Sequence, residues 1–169
     1  MRSAVFVIAL AVFLFTAAFT IRELIYTWLF GRPDLGASSL ETLARPSSPN
    51  TYLLANEGST SAKPDAPAVL LKTTPQAALD AATKQLSDLA ETRRVDDSTN
   101  ERYRRFVVRT QIMRYPDTVE FWAAPAPGQR GKIAFSAYSR SQIGYSDLGA
   151  NKARIDAVAA SLKSAFEAT

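Results

Sequence analysis

Hydrophobic positions follow three different patterns along this 169-residue chain. From Ala4 to Ile21 they form an almost unbroken run, which resumes after Arg22–Glu23 as Leu24-Ile25-Tyr26-Thr27-Trp28-Leu29-Phe30. A bilayer-spanning helix needs about 20 mostly apolar residues, each rising ~1.5 Å. Ala4–Ile21 nearly meets this alone, and Ser3–Phe30 as one helix would be roughly 42 Å long. The pattern predicts a single-pass transmembrane anchor over 1–30. Ala4, Phe6, Leu10, Phe13 and Phe15 would meet lipid, Arg22 and Glu23 would reach one interface, and Tyr26 and Trp28 suit the interfacial belt. A cleaved secretory signal competes with this reading, with Arg2 as its positive start. Against it, the run exceeds the ~7–15 residue core of such signals and continues past the small residues Thr16-Ala17-Ala18.

The second pattern is helical. Thr74 is placed to cap a helix with Pro75 at its first position, and Ala78, Leu79, Ala82, Leu86 and Leu89 recur on one face. A last helix is predicted from near Leu148, capped by Ser146 or Asp147, with Ile155, Val158, Ala159, Leu162 and Phe166 as its buried stripe.

The third pattern is strand-like. Val69-Leu70-Leu71 is a short apolar run, and Tyr103–Met113 is rich in β-branched and aromatic residues. Val119, Phe121 and Ala123 alternate with Glu120 and Trp122, and Ile133, Phe135 and Ala137 alternate with Ala134, Ser136 and Tyr138. Turns are marked at Arg114-Tyr115-Pro116-Asp117 and Pro125-Ala126-Pro127-Gly128. The expected class is α+β: an antiparallel sheet with helices packed on one face, preceded by the transmembrane helix. Residues 69–169 are enough for one such domain. Residues 31–68 hold five of the nine prolines and read as a Pro/Ser-rich linker, except for an apolar island at 49–55 suited to docking as an extended arm.

Net charge is +4, and the same excess falls within 69–169, which draws the domain toward anionic headgroups. Lys and Arg flank the apolar run almost evenly, so orientation rests on its signal-like position. That position predicts a chain in the cytoplasmic (inner) membrane with its domain on the periplasmic side. There is no cysteine and no histidine. Thiol nucleophiles, imidazole bases and the usual zinc ligands are therefore missing. Asp96-Asp97, Asp117 and Glu120 are the candidate carboxylates for a carboxylate-only enzyme or a hard cation, adjacent carboxylates such as Asp96-Asp97 being usually just solvated, and no phosphate-loop or dinucleotide glycine pattern occurs. No cofactor or metal is expected. Arg93-Arg94 and Arg102-Tyr103-Arg104-Arg105-Phe106 interleave arginine with aromatics, but period-two alternation and the anchor argue against a nucleic-acid partner.

The densest chemistry lies in Tyr138–Arg154, where a strand ends, a glycine-containing loop follows and a helix begins. Free N–H groups at a helix start attract anions. Arg109, Arg140 and Arg154 would supply guanidinium forks, with Ser139, Ser146, Asp147 and Asn151 completing a candidate anion site. The structural alternative has Asp147 capping the helix and Arg140 paired with Glu120 or Asp117 across the sheet.

These same residues resemble a known family. Val107-Val108-Arg109-Thr110, Asp117-Thr118-Val119-Glu120-Phe121-Trp122 and Tyr138-Ser139-Arg140-Ser141-Gln142-Ile143-Gly144-Tyr145-Ser146-Asp147-Leu148-Gly149-Ala150-Asn151, with Arg154 and the upstream Pro49-Asn50-Thr51, look like the domain-of-unknown-function 1499 family over roughly 49–166. The resemblance implies a domain and no reaction. Its exported and membrane-associated members favour the periplasmic orientation. Some members carry a cysteine after the Pro-Asn pair, where Thr51 stands here. The leading expectation is a non-catalytic, membrane-anchored accessory domain with two partners, the lipid bilayer and a larger integral-membrane complex. The alternative is a tethered domain binding an anionic small molecule or a lipid headgroup.

Overall fold

Six strands carry the alternating residues onto one sheet, each antiparallel to its partner: β1 (Thr51–Leu54), β2 (Val69–Leu71), β3 (Glu91–Arg94), β4 (Tyr103–Arg109), β5 (Pro116–Pro125) and β6 (Ile133–Ser141). The order is β1-β6-β5-β4-β3, and β2 pairs with the part of β6 that β1 leaves open. The helices are α1 (Arg2–Thr20), α2 (Arg22–Phe30), α3 (Pro75–Leu89) and α4 (Ala150–Phe166). The computed structural model describes residues 2–97 and 99–166, so the last three residues of the expected domain lie outside the described residues.

Period two divides the sheet into two chemically distinct faces. One face meets α3 and α4. There Phe106, Phe121 and Phe135 pack in a row with centroids 5.5 and 5.3 Å apart, against Leu79, Leu86, Ile155 and Leu162. Thr74 caps α3 by accepting the Ala77 amide at 3.2 Å, with Pro75 at the first position. This is the α+β arrangement that the alternation predicts.

The other face is covered by the segment 31–68, read from composition as a linker. Leu43 is buried with Leu53, Ala55 and Tyr138. Leu35 N donates to Thr118 Oγ1 at 3.0 Å and Ser38 N to Glu120 Oε1 at 2.6 Å. Residues 34–43 thus form a strap over β5 and β6. The island at 49–55 contains β1, and residues 65–66 bond back to Leu53 along its outer edge, so that edge presents few open groups.

The N-terminal region departs from the single continuous helix that the apolar run predicts. Among the described residues no single helix is long and apolar enough to cross a membrane. Ala4–Thr20 and Arg22–Phe30 reach that test only together, bent by 65°. The break has side-chain causes. Arg22 turns back to donate to Phe19 O and lies 4.1 Å over the Phe19 ring, while Thr20 Oγ1 donates to Thr16 O at 2.7 Å. Side-chain bonding to the preceding turn bends helices, and Ile21 leaves the helical region at φ −97°, ψ 12°.

Candidate functional site

The sheet separates the residues expected to form one anion site. Ser139 and Arg140 are consecutive in β6 and face opposite ways. Ser139, Asn151 and Arg154 meet on the helix face. Asn151, fully buried, accepts from Ser139 Oγ and from Arg154 Nη1 (2.9 Å), and its amide donates to Asn50 O (2.7 Å) and Ser141 Oγ (3.0 Å). Arg154 Nη2 reaches Asp117 Oδ2 at 2.7 Å, and both side chains are buried. Burial pushes the Asp117 carboxyl above its ordinary range, against the downward pull of Arg154. Asp147 accepts the Gly149 amide (3.1 Å) and the Asn151 amide (2.6 Å), so it caps α4, while Ser146 accepts from Leu148 N (3.2 Å). Asn50 closes the assembly by donating to Gly144 O at 2.7 Å. The donors expected to receive an anion are occupied from within: the cluster is a latch joining the entry to β1, the end of β6 and the start of α4.

Arg140 and Arg109 lie on the strap face. Arg140 donates to Gly36 O at 2.7 Å and stands 3.5 Å from Glu120 Oε2, which matches the structural alternative. Arg109 pairs with Glu23 of α2 at 3.2 Å, and Arg114 pairs with the same carboxylate and with Glu91. Gln142 Nε2 donates to Phe30 O (2.9 Å) and Arg32 O (2.6 Å), and Tyr26 packs on Tyr115 with centroids 5.2 Å apart. Tyr26 and Trp28, expected at an interfacial belt, thus belong to α2, which lies across the end of the sheet at the β4–β5 turn. Ala4, Phe6, Leu10, Phe13 and Phe15 are exposed on α1.

Asp117 and Glu120, the best carboxylates for an enzyme, are also on opposite faces and cannot act as a pair. Glu120 is fully buried and accepts from Tyr103 Oη at 2.7 Å as well as from Ser38 N. Burial and then the Glu120 charge push the Tyr103 hydroxyl far above its ordinary range, so it remains a donor. Beside this row the strap face is open. A groove of about 1280 Å³ runs over Tyr103, Trp122 and Ser136, between Ala37–Glu41 and Asn56–Ser61.

The profile of the family described as "Protein of unknown function (DUF1499)" matches residues 42–162. The chain belongs to the DUF1499 family. No curated protein and no solved structure matches it.

The DUF1499 match starts inside the strap and ends in α4, so it takes in both halves of the latch. Among the residues that carry the resemblance, Asn50, Asp117, Ser139, Asp147, Asn151 and Arg154 join in this latch, which spans 101 positions of chain. Sequence reasoning missed the groove. Its only early signal was Trp122 on the polar side of β5, a large aromatic where alternation calls for a solvated residue.

Proposed function

We infer that this chain is a non-catalytic, membrane-anchored accessory domain of a larger integral-membrane complex, held in one orientation at the bilayer. In this reading α1 enters the hydrocarbon of the inner membrane, α2 lies at its surface, and the domain stands on the periplasmic side. The observation that carries it is the clamp on α2: Glu23 between Arg109 and Arg114, with Gln142 on the carbonyls of Phe30 and Arg32. A simple tether gains nothing from being fixed to the domain it carries. A fixed anchor decides which face of the domain meets a neighbour.

Other features agree. Phe6, Phe13 and Phe15 of α1 are 68, 66 and 72% exposed, a large apolar surface to leave in water. Ala4–Thr20 and Arg22–Phe30 have the length and composition of a span only together, so the reading needs both helices at the bilayer. The chain has no histidine or cysteine, and its best carboxylates are divided by the sheet.

The test is extraction of the full-length chain from its native membrane, by alkaline carbonate and separately by mild detergent with identification of co-purifying proteins. Resistance to carbonate and stoichiometric recovery of integral-membrane proteins are expected. Release by carbonate overturns the anchor. Recovery of the chain alone overturns the accessory role.

A further inference from the structure

We propose that the groove over Tyr103, Trp122 and Ser136 is a binding site for a neutral carbohydrate chain. The inference is independent of the anchor and of any membrane complex.

The floor is set by the sheet. Tyr103 and Trp122 are register partners on β4 and β5, with rings tilted by 41° and centroids 5.6 Å apart. Ser136 is the register partner of Trp122 on β6. Two tilted aromatic rings beside a hydroxyl present an apolar surface with a polar edge, which matches the apolar faces and equatorial hydroxyls of a pyranose.

The walls carry hydrogen-bonding capacity that the fold leaves unused. Ser136 lines the groove, and its hydroxyl has no partner among the described residues. A hydroxyl at the groove wall that the fold leaves without a protein partner can both donate to and accept from a ligand. Among the described residues, the hydroxyls of Ser38 and Ser39 and the guanidinium of Arg102 at the rim also have no partner. Asn56 and Asn100 each use only their carbonyl oxygens, on Ala68 N and Arg102 N, leaving both amide groups as donors. Donors and acceptors are thus mixed, as a hydroxyl-rich ligand requires.

Two other ligand classes fit worse. An anion would meet two carboxylates, Glu41 and Glu57, against one guanidinium, Arg102. A peptide added as a β-strand gains its affinity by pairing with a sheet edge, whereas this groove lies over a sheet face, with β6 and β4 on either side of β5; a proline-rich peptide, which needs no edge, is the competitor that the test includes. The volume of about 1280 Å³ accommodates an oligosaccharide of several residues.

The chain has two tryptophans, Trp28 and Trp122. Trp28→Phe, on the exposed side of α2, therefore leaves Trp122 as the sole fluorescent reporter at the site. The full-length Trp28→Phe chain, in a detergent without a sugar headgroup, is titrated with three neutral probes: the N-acetylglucosamine trimer, cellotriose and maltotriose. Trigalacturonate and a proline-rich peptide serve as competitors of other classes. At least one neutral trisaccharide is expected to shift Trp122 emission saturably, with Kd below about 1 mM. The exposed double variant Asn100→Ala/Arg102→Ala, which leaves the core untouched, is expected to weaken that affinity at least tenfold. Calorimetry on Trp122→Phe is expected to show a similar loss. The proposal is overturned if no neutral probe acts at about 10 mM, if only the peptide or the acidic sugar binds, or if the double variant binds as well as its parent.

Discussion

The Asn151 amide on α4 donates to the main-chain oxygen of Asn50 at 2.7 Å, joining the residue before the first strand to the first turn of the last helix. All the hydrogen-bonding capacity of the Asn151 side chain is engaged in a site without water access. Replacing it with alanine takes the acceptor from the Ser139 hydroxyl and from one Arg154 donor, and leaves Asn50 O with the Ser141 amide alone. Each buried polar group left unpaired costs about 1–3 kcal/mol. Asn151→Ala is therefore expected to lose about 3 kcal/mol or more, read as a large fall in Tm of the full chain in mild detergent. An unchanged Tm would show that the latch does not hold the domain closed.

The Arg154–Asp117 pair makes a prediction about stability against pH. The Asp117 carboxyl titrates above its ordinary value in the fold, so the folded state holds its proton more tightly than the unfolded chain. Its contribution is full below the ordinary carboxylate value and is lost as pH rises through the raised one. The stability difference between the parent and Asp117→Asn is expected to shrink in the parent's disfavour from about pH 4 upward. Thermal unfolding of both proteins across that range checks the sign.

Removing one partner of the same pair tests its energetics. Arg154→Met strands a buried carboxylate and is expected to cost about 3–5 kcal/mol. The double variant Asp117→Leu/Arg154→Met, which removes both charges, should be the more stable of the two. Denaturant titration of the parent, both single variants and the double variant measures the coupling directly.

Glu120 holds the strap. Its Oε1 receives Ser38 N and the Tyr103 hydroxyl, and Arg140 beside it holds Gly36 O. Glu120→Ala is expected to loosen residues 34–43 while leaving the helix face packed. Cleavage after Glu41 by a glutamyl endopeptidase should then speed up at least tenfold, with far-ultraviolet dichroism unchanged. Equal cleavage of parent and variant would count against the strap's dependence on this carboxylate.

Phe121 lies at the middle of the Phe106–Phe121–Phe135 row and is completely buried. Phe121→Ala is expected to destabilise the domain by about 3–5 kcal/mol. Trp122→Ala, one residue on and facing the groove, should cost less, because Trp122 keeps contact with solvent. Comparing the two melting curves tests the assignment of faces.

The alternation of Val119, Phe121 and Ala123, and of Ile133, Phe135 and Ala137, made the central sheet legible, and Thr74-Pro75 marked the start of α3. In each case the local signal and the packing agree. Glu91–Arg94 was illegible because this polar edge strand is held by backbone pairing to β4 and carries no apolar stripe. The strap was hidden by its prolines and serines. Its attachment depends on main-chain N–H and C=O groups meeting Thr118, Glu120 and Arg140, which composition does not register. The division of Ser139 from Arg140 follows from period two alone. Grouping them as one site gave residue type precedence over direction. The break at Ile21 depended on Arg22 folding back over Phe19, a choice between snorkelling and capping that residue identity leaves open.

The pairing of β1 with β6 sets the order in which a growing chain can close. Thr51 leaves the ribosome roughly 90 residues before its register partner Arg140. At about 5–20 residues per second this is a wait of several seconds. Throughout it, β1, the strap and the Asn50 end of the latch have no surface to rest on. Contacts this distant in sequence make late, slow steps in folding. The strand that completes the sheet is made well after β1, so nascent chains halted before Ser141 emerges should hold an open domain.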